Sequence, residues 1–107
     1  MRESIKQHIR RILLDLRSHR ETDAGITEGE RKLRLHLEKI PYDDLLSLNA
    51  VMYAGRDGQS PRNVEQQLGR SGVFSKDELI QAMLMRFDGL QNYLVQGAAQ
   101  ERVTALP

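Results

Sequence analysis

The chain has 107 residues, with sixteen Lys and Arg against fifteen Asp and Glu, three His and no Cys. A chain of this length supports one domain, burying roughly 60–70% of the surface its unfolded form exposes. The near-balance of charge supplies no overall field toward nucleic acid or anionic membrane, and the lack of cysteine excludes disulfides and thiolate metal sites and fits a reducing, cytoplasmic setting.

Charge is uneven along the chain. Residues 1–20 hold six basic groups and two acidic ones, whereas residues 21–44 hold seven acidic and four basic. The apolar run Ile12–Leu16 is short, contains Asp15 and has no small-residue cleavage site after it, so neither a signal peptide nor a membrane span is expected.

The spacing of Ile5, Ile9, Ile12, Leu13 and Leu16 predicts an amphipathic helix from about Glu3 to His19, with Lys6, Arg10 and Arg17 on one flank and Leu14 pointing away. Residues 20–26 read as a connector. Thr27 with Glu30 fits a capping box, in which each side chain satisfies a backbone N–H at a helix start, and Leu33, Leu37 and Ile40 share a face of the helix that follows. Leu35 lies off that face.

Pro41 ends this helix and prepares the next. From Leu45 to Arg56 (LLSLNAVMYAGR) apolar side chains fall on nearly every side, which places the helix 43–54 in the middle of a bundle. Asp43 and Asp44 complement its dipole, and Gly55 is the expected stop. Asn49, the one amide in the run, is expected to bond to a neighbouring helix or to face a gap. Ser60-Pro61 then opens a short helix carrying Val64 and Leu68 as far as Gly69.

Ser75 and Glu78 form a second capping box, with Phe74 and Leu79 as its hydrophobic staple. Leu79, Ile80, Met83, Phe87, Leu90 and Leu94 continue as one stripe, which predicts a single helix to about Gln96, bent at Gly89. Asp88 as the cap of a separate helix is the alternative. Met85 lies off the stripe, Gly97 is the expected stop, and 98–107 reads as a loose tail after a single domain, 1–97.

The residues Tyr53, Gly55 and Arg56 at the end of the leucine-rich helix, followed after a loop by Tyr93, Leu94 and Gly97 in an L-x-x-Y-L-x-x-G pattern, resemble a family of small bacterial proteins of unknown function. The resemblance spans residues 42–98 and implies a helical bacterial domain without an assigned activity. Asn49 and the loop Arg62 to Phe74 differ from the family pattern.

No residues converge in the sequence on catalytic chemistry. His8, His19 and His36 sit on charged helix flanks, without a carboxylate or second histidine at metal-ligand spacing on the same face. Asp43-Asp44 is explained by the helix dipole, and Gly55, Gly58, Gly69 and Gly72 lack a phosphate-loop pattern.

The reading is an all-α bundle of about five helices around the helix 43–54, acting as a non-catalytic cytoplasmic protein-interaction module, homo-oligomeric or bound to another protein, with no cofactor or metal. Leu14, Leu35, Met85 and the Arg56-Asp57 turn are the candidate contact residues. The alternative is a nucleic-acid-associated regulator using Lys6, Arg10 and Arg17.

Overall fold

The computed structural model describes the backbone of residues 1–17, 23–70, 72 and 74–103. Among these residues there are six helices and no strand: α1 (Glu3–Arg17), α2 (Asp23–Glu38), α3 (Tyr42–Asp57), α4 (Pro61–Arg70), α5 (Lys76–Leu84) and α6 (Phe87–Gln100). The expected architecture holds, with one more helix than the sequence suggested.

Helix α3 is the axis of the bundle. Leu45, Ser47, Leu48, Asn49, Ala50, Val51, Met52 and Ala54 are all buried, so it is enclosed along most of its circumference, as its all-round apolar pattern requires. α1, α4, α5 and α6 pack around it, α6 most extensively. The stripes read from the sequence fill the core: Ile5, Ile9, Ile12, Leu13 and Leu16 from α1, Leu33 and Leu37 from α2 with Ile40 beyond its end, and Leu79, Ile80, Met83, Leu90 and Leu94 from α5 and α6.

Two glycines expected to stop helices instead lie inside them. A Cβ at Gly55 would stand 1.8 Å from the Tyr93 carbonyl oxygen, and one at Gly97 would stand 2.0 Å from that of Val51. The backbones of α3 and α6 therefore touch, each glycine admitting the other helix's carbonyl. An L side chain at either position would occupy the space of a backbone atom.

α3 ends two residues beyond Gly55, at Asp57, where the capping Gly58 takes the left-handed conformation (φ 70°), and the N–H groups of Gly58 and Gln59 both bond to the Ala54 carbonyl. α6 continues past Gly97 to Gln100 and buries Ala98, which the sequence reading gave to a loose tail; beyond its end Arg102 stands at φ 61°, and the Val103 N–H closes on the Ala98 carbonyl. The same cap is thus built here on a non-glycine residue, at a conformational cost of about 1–2 kcal/mol.

Other boundaries also differ from the sequence reading. α2 begins at Asp23, so position 27, expected at the helix start, lies one turn inside it. His19 lies outside the described residues. The predicted single helix after Ser75 is broken at Met85-Arg86, before Gly89, and Arg86 (φ −109°, ψ 23°) precedes α6 without a side-chain cap. The break is stabilised by the Arg86 guanidinium, which donates back to the Ala82 carbonyl at 2.9 Å.

The Ser75–Glu78 capping box is present, with both reciprocal hydrogen bonds at 3.0 Å. Asn49 bonds to a neighbouring helix as expected: its Nδ2 donates to the Leu45 and Leu79 carbonyls at 3.0 and 3.1 Å, tying α3 to α5.

Gly97→Ala should lower unfolding free energy by at least about 2–3 kcal/mol in urea titrations, the upper part of the range for overpacking, because backbone is the obstacle. Gly69→Ala, which meets nothing within 4 Å, should instead raise it by about 0.5–1 kcal/mol. A neutral Gly97→Ala variant would contradict the close approach of α3 and α6.

Candidate functional site

On α2, a step of 100° per residue puts Leu35 almost opposite the buried line of Leu33, Leu37 and Ile40. The structure leaves it 45% exposed, on the outermost ridge of the helix. A shallow hollow lies on either side. One, of about 480 Å³, lies between α1 and α2 and is lined by Arg11, Asp15, Lys32, Leu35, His36 and Lys39. The other, of about 370 Å³, lies between α2 and α5 and is lined by Glu30, Arg31, Arg34, Gln81, Leu84 and Met85.

Two further predicted contact residues belong to the same helices. Leu14 is 51% exposed on α1, and Met85, 78% exposed, follows α5 and lines the second hollow. These side chains are not used to complete the core, which is closed by residues near zero exposure. The lining charges are mainly basic, with Arg11, Lys32, Lys39, Arg31 and Arg34 against Asp15 and Glu30. Arg31 is paired with Glu28 one turn earlier.

Arg56 and Asp57, expected in a turn, are instead the last two residues of α3, because the helix runs through Gly55 to its cap at Gly58. Arg56 donates from Nε and Nη2 to the two Asp57 oxygens at 2.9 and 3.1 Å, which holds the Asp57 carboxyl below the usual carboxylate range. Its guanidinium also lies over the Tyr53 ring, 4.9 Å from the centroid. Of the nucleic-acid candidates, Lys6 and Arg10 both face Glu3, at 3.8 and 3.5 Å, which offsets their charge; Arg17 is exposed at the end of α1.

The structure brings together groups that the sequence reading kept apart. His8 of α1 and His36 of α2 have ring centroids 6.0 Å apart. His8 Nε2 lies 3.3 Å from Asp44 Oδ2 of α3, and His36 Nδ1 lies 3.8 Å from Asp15 Oδ2, too far for a hydrogen bond. Both histidines are half-buried on their helix flanks, and their partners lie on other helices, where a same-face search does not reach. Among the described residues no group of three or more His, Cys, Asp or Glu is placed to hold a metal ion.

A second cluster centres on Ser47, whose hydroxyl accepts from Arg2 at 2.7 Å and donates to Glu65 at 2.6 Å. Arg2 also pairs with Asp44 at 3.3 Å, so this network joins the start of α1 to α3 and α4. Nothing in the local sequence around Ser47 announces it, because its partners lie 45 and 18 residues away.

No protein-family model matches this chain, nor does any curated protein or solved structure. No helix among the described residues is long and apolar enough to cross a membrane.

Burial pushes the His36 imidazole below the usual histidine value; Asp15 pulls it up, while His8, Arg11 and Lys39 depress it further. The folded state therefore binds a proton at His36 less readily than the unfolded chain does. The stability this contributes is present above the unfolded value, about 6.5, and is lost as pH falls through the depressed folded value. Unfolding free energy should decline from pH 7.5 toward pH 5.5, and His36→Gln should flatten that decline. A variant with an unchanged pH slope would contradict it.

Proposed function

We propose that this chain is a non-catalytic, cytoplasmic protein-interaction module whose docking face is the outer surface of α1, α2 and α5. The observation that carries the reading is Leu35, exposed on the α2 ridge between two hollows while the core beneath it is complete. Met85, which lines the second hollow, extends the apolar part of the face, Leu14 is exposed on α1, and such a rim of charge around exposed apolar anchors is characteristic of contact surfaces.

The excess of basic groups lining the hollows favours an acidic partner segment with spaced apolar residues, such as one face of an amphipathic helix. It works against pairing two copies of the chain through this face, where like charges would meet. The expected homo-oligomer is therefore secondary to a complex with another protein. Nucleic-acid binding through α1 is less supported, because Glu3 faces both Lys6 and Arg10. Membership of the small bacterial helical family remains part of the proposal, supported by the meeting of Gly55, Tyr93 and Gly97 at one helix crossing.

A fluorescein-labelled model peptide with leucines at i, i+4 and i+7 and glutamates between them should bind by anisotropy and weaken with added salt. Leu35→Glu with Met85→Glu should reduce affinity about tenfold or more, as loss of central apolar anchors does. Both residues are exposed, so unfolding free energy should stay within about 0.5 kcal/mol of wild type. Absence of binding, or equal loss on Lys6→Glu with Arg10→Glu, would overturn the assignment of this face.

A further inference from the structure

A third cavity lies on another side of the molecule and plays no part in the proposed docking face. It has a volume of about 230 Å³ and sits between α3, α4 and α5, walled by Tyr53, Leu68, Phe74, Leu79 and Ala82, with Asn49 and Glu78 also lining it. A dry cavity of about 150 Å³ is already enough to hold a benzene ring. This one therefore accommodates a single ring or a branched hydrocarbon of similar size.

α3 and α5 run side by side here in register. The Asn49 amide meets the Leu79 carbonyl, and Tyr53 and Ala82 face the same cavity one turn farther on. Another turn along, Arg56 of α3 and Arg86 beyond the end of α5 both bring their guanidiniums over the Tyr53 ring, at 4.9 and 5.0 Å from its centroid. The tyrosine is thus both a wall of the cavity and the platform for two cations.

The groove has a charge direction. At one end is Glu78, whose carboxyl is held below the ordinary carboxylate range by its hydrogen bonds with Ser75. At the other, two guanidiniums face a single carboxylate, Asp57, which is bonded to Arg56. The Arg86 guanidinium donates from Nη1 to the Ala82 carbonyl. Among the described residues one positive charge is left without a matching carboxylate of its own, beside the tyrosine that walls the apolar cavity.

We infer that this groove binds a small amphiphilic monoanion: a carboxylate on a short chain carrying one ring or a branched apolar group. The apolar body occupies the cavity against Tyr53, Leu79 and Ala82, and the carboxylate pairs with Arg86 and the free edge of Arg56. A planar guanidinium matches a carboxylate in geometry as well as charge. Glu78 excludes the reversed orientation by placing like charge at the opposite end. The doubly bonded Asp57 tunes the site to one negative charge instead of two.

The full chain, labelled with nitrogen-15, is titrated with 3-phenylpropionate and separately with its neutral isostere 3-phenylpropionamide, following backbone amide shifts at low salt. The carboxylate should bind about tenfold more tightly than the amide, with the largest shifts at residues 49–57 and 78–86. Arg86→Gln should bring the two affinities together, whereas Arg86→Lys, which keeps the charge, should retain most of the carboxylate's advantage over the amide. Ala82→Leu, which fills the cavity, should abolish both titrations. Equal binding of the two compounds in the wild-type protein, shifts centred elsewhere, or no saturable shifts up to about 10 mM would each overturn the inference.

Discussion

The contact on which the bundle depends is the meeting of two helix backbones at Gly55 and Gly97. Glycine inside a helix costs about 1 kcal/mol relative to alanine, so two such residues in the packed elements require compensation. Here it comes from contact: with no Cβ, the Tyr93 carbonyl fits against Gly55 and the Val51 carbonyl against Gly97. Close approach lets dispersion act over a long seam and admits weak Cα–H to carbonyl contacts. α6 is accordingly the most extensive partner of α3.

Once α6 occupies that side of α3, the remaining elements are constrained to its other faces. α1 and α5 bring their apolar stripes to the same core, and Asn49 fixes α5 by donating to the Leu79 carbonyl. The chain must turn between α5 and α6 to serve both packings, and Arg86 sits at that turn, bonded to Ala82 and stacked on Tyr53. α2 closes the core through Leu33 and Leu37, while Lys76 donates to the Glu38 carbonyl at 2.7 Å and pins the start of α5 to the end of α2. The outer side of α2 is left over from this arrangement. That is why Leu35 is available for contact without loss to the core.

Much of this was legible in the amino-acid sequence wherever the signal is local. Helical periodicity identified the buried residues of α1 and α2, the all-round apolar pattern placed α3 at the centre, and the reciprocal Ser75 and Glu78 marked the start of α5. Signals with two physical meanings were read wrongly. A glycine at a helix end and a glycine at a helix crossing look alike in one dimension, and only the partner backbone, some forty residues away, distinguishes them. The T-x-x-E pattern at Thr27 likewise occurs inside a helix. The break at Met85-Arg86 was hidden because Met83 and Leu90 are seven residues apart, close to two full turns, so the stripe stays in phase across it. The exposure of Leu14, Leu35 and Met85 followed from their position off the stripes. The pairing of His8 with His36 and the stacking of Arg86 on Tyr53 had no local signature, since each joins different helices.

α3 and α6 form one unit through their glycine contact, with the other helices secured to it. Native-state hydrogen exchange tests this most directly. Amides in residues 48–56 and 90–98 should be the slowest in the protein and should share a single opening free energy equal to that of global unfolding, with α2 and α4 opening at lower cost. If α6 exchanged through a separate, cheaper opening while α3 remained protected, the two helices would not be the unit on which the fold depends.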